Sequence, residues 1–468
     1  MKHLLRSGLL AGVACSTLLF SGAAAAQGPA VGPPGSGASQ MLATGGYLFV
    51  LRGGSLYQFD VVTLKLLNQH RFEAGGTGDA DAFGAAIQRA IRLAPDDSSR
   101  AAAGKRAPQL ARAAAMPPVA PVSMAVAVEC GLDWLARHQD EDGRWDCDNF
   151  MKHDKGTPSD GAGNPVHDVG VTALATLAFL GHGNTMDAGP HKEVVARGVK
   201  WLRAQQQENG LIGSNASHDF IYDHALAAFA LAETCNLSGV ESTSRRIIKS
   251  TAQRAINYLE SHRNPYAVWR YMPRDNDNDT SVTTWAVLAL RSAKDAGLEV
   301  NGTALEMARV WFDQVTDEET GRIGYCKAGE SSSRKPGDHA KQFPVGNCET
   351  LTAAGTFARL ALGEKPDESA MAKAGALLRA KPPQWRPGHI DAVYWFFGGL
   401  ASYQLGGETW QAWQPGLAQL AVHQRDGGSA QGSWDTDGVW DNDGGRVFVT
   451  ALNTLSLATV LRANRLVR

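Results

Sequence analysis

The stretch from Cys130 to Trp145, CGLDWLARHQDEDGRW, constrains the fold most, because its order of Gly, Trp-Leu, Gln and Gly-x-Trp returns along the rest of the chain. Gly131, Trp134-Leu135, Gln139, Gly143 and Trp145 are matched by Gly198, Trp201-Leu202, Gln206, Gly210 and Gly213. Looser copies follow at Tyr258-Leu259 with Trp269, at Trp311-Phe312 with Gly321 and Gly324, at Leu377-Leu378 with Trp385, and at Leu420, Gln424, Gly432 and Trp434. A unit of this length cannot bury its own apolar face, so neighbouring units must stack. Six helical hairpins stacked in this way can close into a ring.

From residue 122 onward each unit has two apolar stretches of different character. The first is amphipathic: in Val194 to Gln206, Val195, Val199 and Leu202 share one side while Arg197, Lys200 and Arg203 face water. The second, in segments such as VGVTALATLAFLG, HALAAFALAE and AVYWFFGGLASYQLG, is apolar nearly all round and rich in Ala, Gly and Thr. Such helices are buried on most sides. The alternation predicts an all-α domain over 122–468, an α/α toroid with an inner ring of helices wrapped by an outer one. Every link from an outer to an inner helix then emerges at the same rim. These are the long links, from 140 to 166, 264 to 278, 317 to 347 and 425 to 445, where sites are usually built.

The N-terminal quarter reads differently. Lys2 and Arg6, the apolar run from Leu9 to Phe20 and the small residues Ala23 to Ala26 have the three-part layout of a secretory signal over 1–26. Cleavage after Ala26 would make the protein secreted or periplasmic. A Gly/Pro/Ser-rich segment, 27–40, is expected to be disordered. Residues 41–73 are expected to form a small β element, with YLFVL and SLYQFD joined at the Gly53-Gly54 turn. Residues 74–121 read as an Ala/Pro-rich linker. The mature chain keeps Cys130, Cys147, Cys235, Cys326 and Cys348, and Cys326 with Cys348 is the expected disulfide if one forms. With a net charge of −2 in 468 residues the chain is no nucleic-acid binder, and no later apolar run is long enough to span a membrane.

The Gly-x-x-Trp-Leu-x-x-x-Gln and Gly-x-Trp pattern resembles the prenyltransferase and squalene oxidase repeat of the terpenoid cyclases and protein prenyltransferase β subunits. The resemblance covers about 122 to 468. It implies a single toroid of that family, with Gln139, Gln206 and Gln424 tying one repeat to the next. It also implies an apolar, isoprenoid-like ligand in the central cavity. Asn276-Asp277-Asn278-Asp279-Thr280 is similar to the Asp-x-Asp-Asp-Thr motif of squalene-hopene type cyclases, whose middle acid protonates an alkene. Here that position is Asn278, which has no proton to give, so Asp277 or Asp275 would have to serve with Asp279. PVGNCET resembles the reactive segment of complement thioester domains, but Leu351 stands where Gln is required, which excludes a thioester.

Titratable and aromatic residues gather on the long links. Asp277, Asp279, Asp223 and His224 are the candidate catalytic residues. His167, Asp168, Tyr222, Asp275, Trp269, Glu349, His389, Asp391, Tyr394 and Arg446 are the candidate ligand contacts. Asp168, Asp223, Asp279, Glu349 and Asp391 also stand where helix caps are expected, and the repeat Trp residues where core is expected. No cofactor is required by this set. Zinc at Cys348 and His389, or calcium at DEDGRWDCDN or DTDGVWDNDGG, are the metal readings; neither loop has an EF-hand's twelfth-position Glu. Two other functions remain open: an envelope scaffold whose rim binds a protein or glycan, and a polysaccharide lyase or hydrolase with Trp269, Tyr271, Trp385 and Trp395 as sugar platforms.

Overall fold

The computed structural model describes residues 40–44, 47–52, 55–60, 66–71, 121–239 and 241–462. The signal sequence, nearly all of the 27–40 segment and the 74–121 linker, and the Gly53-Gly54 turn lie outside them. The chain divides into two compact units, Met1–Pro117 and Pro118–Arg468. In the first, β1 (Gln40–Thr44), β2 (Tyr47–Arg52), β3 (Ser55–Asp60) and β4 (Leu66–Arg71) pair antiparallel in chain order, with a register shift between Gln58 and Phe59.

The second unit is helical. Its longer helices are α1 (Pro121–Arg137), α2 (Asp168–Gly181), α3 (Lys192–Ala204), α4 (Phe220–Leu237), α5 (Thr243–His262), α6 (Thr280–Asp295), α7 (Gly302–Val315), α8 (Thr350–Ala361), α9 (Ser369–Ala380), α10 (Ala392–Leu405), α11 (Gly407–Ala418) and α12 (Asp441–Arg462). The even-numbered helices each pack on the next, α2 on α4, α4 on α6, and so on to α12, and α12 returns to α2. The odd-numbered helices lie against this closed circuit, and α1 packs on α12.

Composition accounts for the division of labour. In α2 every residue from Val169 to Gly181 is buried, whereas α3 buries only Val195, Gly198, Val199 and Leu202. Several threonines inside the even helices satisfy their hydroxyls on the preceding turn: Thr176 donates to the Thr172 carbonyl, Thr284 to Thr280 and Thr454 to Thr450. A hydroxyl is therefore tolerated without a partner from another helix. No helix among the described residues is long and apolar enough to cross a membrane.

The repeat motif supplies the joints. Gln139 donates to the carbonyls of Gly143 and of Val194 in α3. Gln206 repeats this one unit on, with Gly210 and Thr251 of α5. Gln424 donates to Gly432 and to Ala127 of α1, joining the last unit to the first. The motif tryptophans are core: Trp145, Trp269 and Trp434 are fully buried and donate to the carbonyls of Leu135, Leu259 and Leu420. Gly143 has φ 104°, and a Cβ there would run into the Arg197 carbonyl of α3, so the loop crosses its neighbour at backbone distance.

The expected Cys326 disulfide with Cys348 does not form; both are thiols. Cys348 is buried with its sulfur 3.8 Å from the His389 carbonyl, while Cys326 is half-buried beside Glu330.

Candidate functional site

Along the centre of the helix circuit runs a cavity of about 460 Å³, within the range of small-molecule sites. All six even helices line it through their first two turns, among them Leu174 of α2, Leu226 of α4, Trp285 of α6, Ala354 of α8, Phe397 of α10 and Phe448 of α12. These six make an apolar floor. Trp285 stacks on Phe396 at 5.9 Å between centroids and meets Phe397 at 4.7 Å. The mouth is polar and comes from the helix starts and the long links: His167, His218, Asp219, Tyr222, Asp223, Tyr271, Ser281, Tyr325, Arg334, Lys335 and Asp443.

At one side His167 Nδ1 stands 3.1 and 3.2 Å from the two Asp223 oxygens. Burial disfavours the charged imidazole, but Asp223, with Asp219 and Asp443 behind it, outweighs burial and lifts the His167 pKa. Burial likewise lifts Asp223 against the pull of His167. Both shifts mean that the pair keeps its shared proton to higher pH. Gly170 makes room for the pair, since a Cβ there would run into the Asp223 carboxylate.

From Tyr222, next to Asp223 on α4, a chain of hydroxyls leads to a buried acid. Tyr222 Oη lies 2.6 Å from Ser281 Oγ, and Ser281 donates to Asp279 Oδ1 at 2.8 Å. Asp279 caps α6 by accepting from the Val282 amide at 2.8 Å. Complete burial raises its pKa to about 6 against the hydrogen bonds from Val282 and Ser281 and the Arg270 charge. Its Oδ2 has no hydrogen bond, with Arg270 Nε 3.5 Å away. Tyr271 and Tyr325 share a hydrogen bond of 2.6 Å, and Arg270 lies over both rings.

Among solved structures the chain is similar to the type II terpene cyclase MstE from Scytonema in its apo form, at 15% identity over 73% of this chain and 99% of that one, TM-score 0.47. A variant of the same cyclase in complex with its product merosterolic acid A is similar at 14% identity, covering 74% and 98%, TM-score 0.44. A protein from Actinoplanes follows at 15%, 73%, 99% and 0.42. No protein-family model matches the chain. No curated protein matches it.

Of the residues singled out in the sequence, His167, Tyr222, Asp223 and Tyr271 line the cavity, and Asp279 stands behind Ser281. Asp277 and Asp275 do not line it: the Asp277 side chain is 68% exposed on the outer loop, where Asp275 accepts its backbone amide. Asn278 braces that loop, accepting from the Val268 amide and Asn264. His224 is in the core, taking the Ile212 amide on Nδ1 and facing the Ala255 carbonyl with Nε2; burial depresses it to about 3, so it stays neutral.

The remaining candidates are braces. Asp168 accepts from Arg144 and the Cys147 amide. Glu349 is held by Arg322 and Lys381. Asp391 caps α10 and accepts from Thr350, with Arg334 3.3 Å away. Tyr394 donates to the Lys381 carbonyl, and Arg446 is buried against Asp160, Ser433 and Asp435. Trp269 and Trp395 are core, not sugar platforms.

The metal candidates do not assemble around Cys348. The His389 ring engages Arg386 and Asn347, and Cys348 meets only the His389 backbone. Carboxylates do cluster where the first acidic loop meets the start of α2: oxygens of Asp146, Asp148 and Asp168 lie within 4.8 Å of one another. Lys152 and Arg144 already offset that charge.

Arg334 and Lys335, on the long link from 317 to 347, carry no sequence signal that sets them apart. Ser281, Tyr325 and Trp285 are likewise absent from the residues singled out in the sequence. Their signal is position: Ser281 is the second residue of α6, and Trp285 follows it by one helical turn, onto the same face.

Proposed function

We propose that this is an exported α/α toroid of the terpenoid cyclase type that binds, and acts on, an apolar, isoprenoid-like ligand in the central cavity. The observation that supports this is the apolar floor to which each of the six even helices contributes, below a polar mouth. A ring that only carried a scaffold would be more stable with this space filled, because unfilled apolar volume costs packing energy. A sequence start of the secretory kind supports export toward the cell envelope, where apolar small molecules partition.

The test is mass spectrometry of organic extracts from the purified protein and from Ala354→Trp, which fills the cavity from α8. An apolar molecule carried by the parent and lost from the variant is the expected result. The reading fails if both carry nothing after exposure to isoprenoid lipids, or if both carry the same molecule.

A further inference from the structure

We propose that the ligand carries an uncharged hydroxyl or carbonyl head, received by the hydroxyl chain at the mouth, and is neither a diphosphate nor a carboxylate. This rests on the cavity being the ligand site, as in the reading above, and adds the chemistry of the ligand's polar end.

The charges at the mouth are matched within the protein. His167 pairs with Asp223 at 3.1 Å, Lys335 with Asp443 at 2.5 Å and Arg334 with Asp391 at 3.3 Å. Arg270 stands 3.4 Å from Asp277 and 3.5 Å from Asp279. An anionic head would have to break these pairs and leave buried Asp223 or Asp391 facing it. Uncompensated charge in such a place is costly.

Hydroxyls, by contrast, have capacity to spare. Ser281 has one proton and donates it to Asp279, so Tyr222 must be the donor in its bond to Ser281. That leaves the Tyr222 oxygen with a lone pair at the cavity wall. Tyr271 and Tyr325 have two protons and one bond between them. If Tyr325 donates to Tyr271, Tyr325 presents a lone pair; if Tyr271 donates to Tyr325, the Tyr325 proton is free. Burial holds Tyr222, Tyr271 and Tyr325 protonated. A chain that can accept or donate at its open end suits a hydroxyl, or a carbonyl in the donating state.

The test uses the full chain and three probes of one carbon skeleton: a linear sesquiterpene hydrocarbon, its primary alcohol and the diphosphate of that alcohol. Binding is read from tryptophan fluorescence, since Trp285 lines the cavity. The alcohol should bind roughly threefold to tenfold more tightly than the hydrocarbon, the range of one or two net hydrogen bonds, and more tightly than the diphosphate. Tyr222→Phe with Tyr325→Phe should collapse the alcohol-to-hydrocarbon ratio to about one. A diphosphate that binds best, or a ratio unmoved in the double variant, overturns the proposal while leaving an apolar site in place. Failure of all three probes removes the site itself and the proposal with it.

Discussion

The Gln424 carboxamide donates at 2.7 Å to the carbonyl of Ala127, 297 positions earlier in the chain. The same side chain donates to Gly432 of its own loop at 2.8 Å. Together with the Trp134 and Arg137 side chains, which donate to the Ser429 and Gln431 carbonyls, it fastens the last repeat to the first. Gln424→Ala leaves two buried carbonyls without this donor and should cost about 2–4 kcal/mol, from the usual penalty for unsatisfied buried groups. Urea denaturation of Gln424→Ala and Gln139→Ala checks this. Equal midpoints to the parent for Gln424→Ala would show that closure does not depend on this joint.

The His167 pair with Asp223 gives a coupling with a defined pH window. Because the folded His167 pKa lies above its ordinary value of 6.5, its contribution is complete below that value and is lost as pH rises through the raised one. At pH 6, His167→Ala should cost about 1–3 kcal/mol by leaving the Asp223 carboxyl without its partner. The cost should shrink in an Asp223→Asn background. A double-mutant cycle at pH 6 and pH 9 measures it, and a coupling that grows with pH would contradict the assignment.

Asp441 sits in full burial, its Oδ2 accepting from the Gly438 amide and its Oδ1 without a hydrogen bond. Burial, with Asp391 and Asp437 adding like charge, pushes its pKa up to about 8. A carboxyl raised in the fold is stable there as the acid, so stability is lost as pH climbs from the ordinary 3.8 toward 8. Asp441→Asn keeps an acceptor for Gly438 and has no charge to bury. Its melting temperature should match the parent at about pH 4 and exceed it by several degrees at pH 8. Parallel melting curves across that range would show that Asp441 is ionised in the fold.

The acidic run before α6 separates cap from surface. Asp279→Ala removes the acceptor for Val282 and Ser281 and should cost about 1–2 kcal/mol, as lost caps do. Asp277→Asn alters a side chain that is 68% exposed and should leave both stability and ligand binding within error. Loss of binding in Asp277→Asn would bring that loop into the site.

Much of the helical layout was legible because it depends on patterns that local physics imposes. The wholly apolar run of α2 and the one-sided run of α3 declare their burial without reference to any partner, and Gln139 and Gln206 recur at the same place in the motif. Chemistry at the mouth was less legible. Asp277 and Asp279 are two residues apart and of one type, yet one is solvated and the other sealed, because the chain enters α6 at Asp279 and only that carboxylate turns back onto the helix amides. His224 adjoins Asp223 in sequence but points a third of a turn away, into the core. Arg334 and Lys335 come from an aperiodic link, whose path across the opening no spacing rule encodes.

The packing of α1 on α12 means that the order in which repeats are written along the chain is separable from their order in space. New termini opened at a surface return such as Gly406-Gly407, with a short tether joining the present ends of α12 and α1, would keep every helix beside its neighbours. Gene rearrangement could then rotate the starting repeat, and a protein so rewired would be expected to reach the same architecture from a different first hairpin.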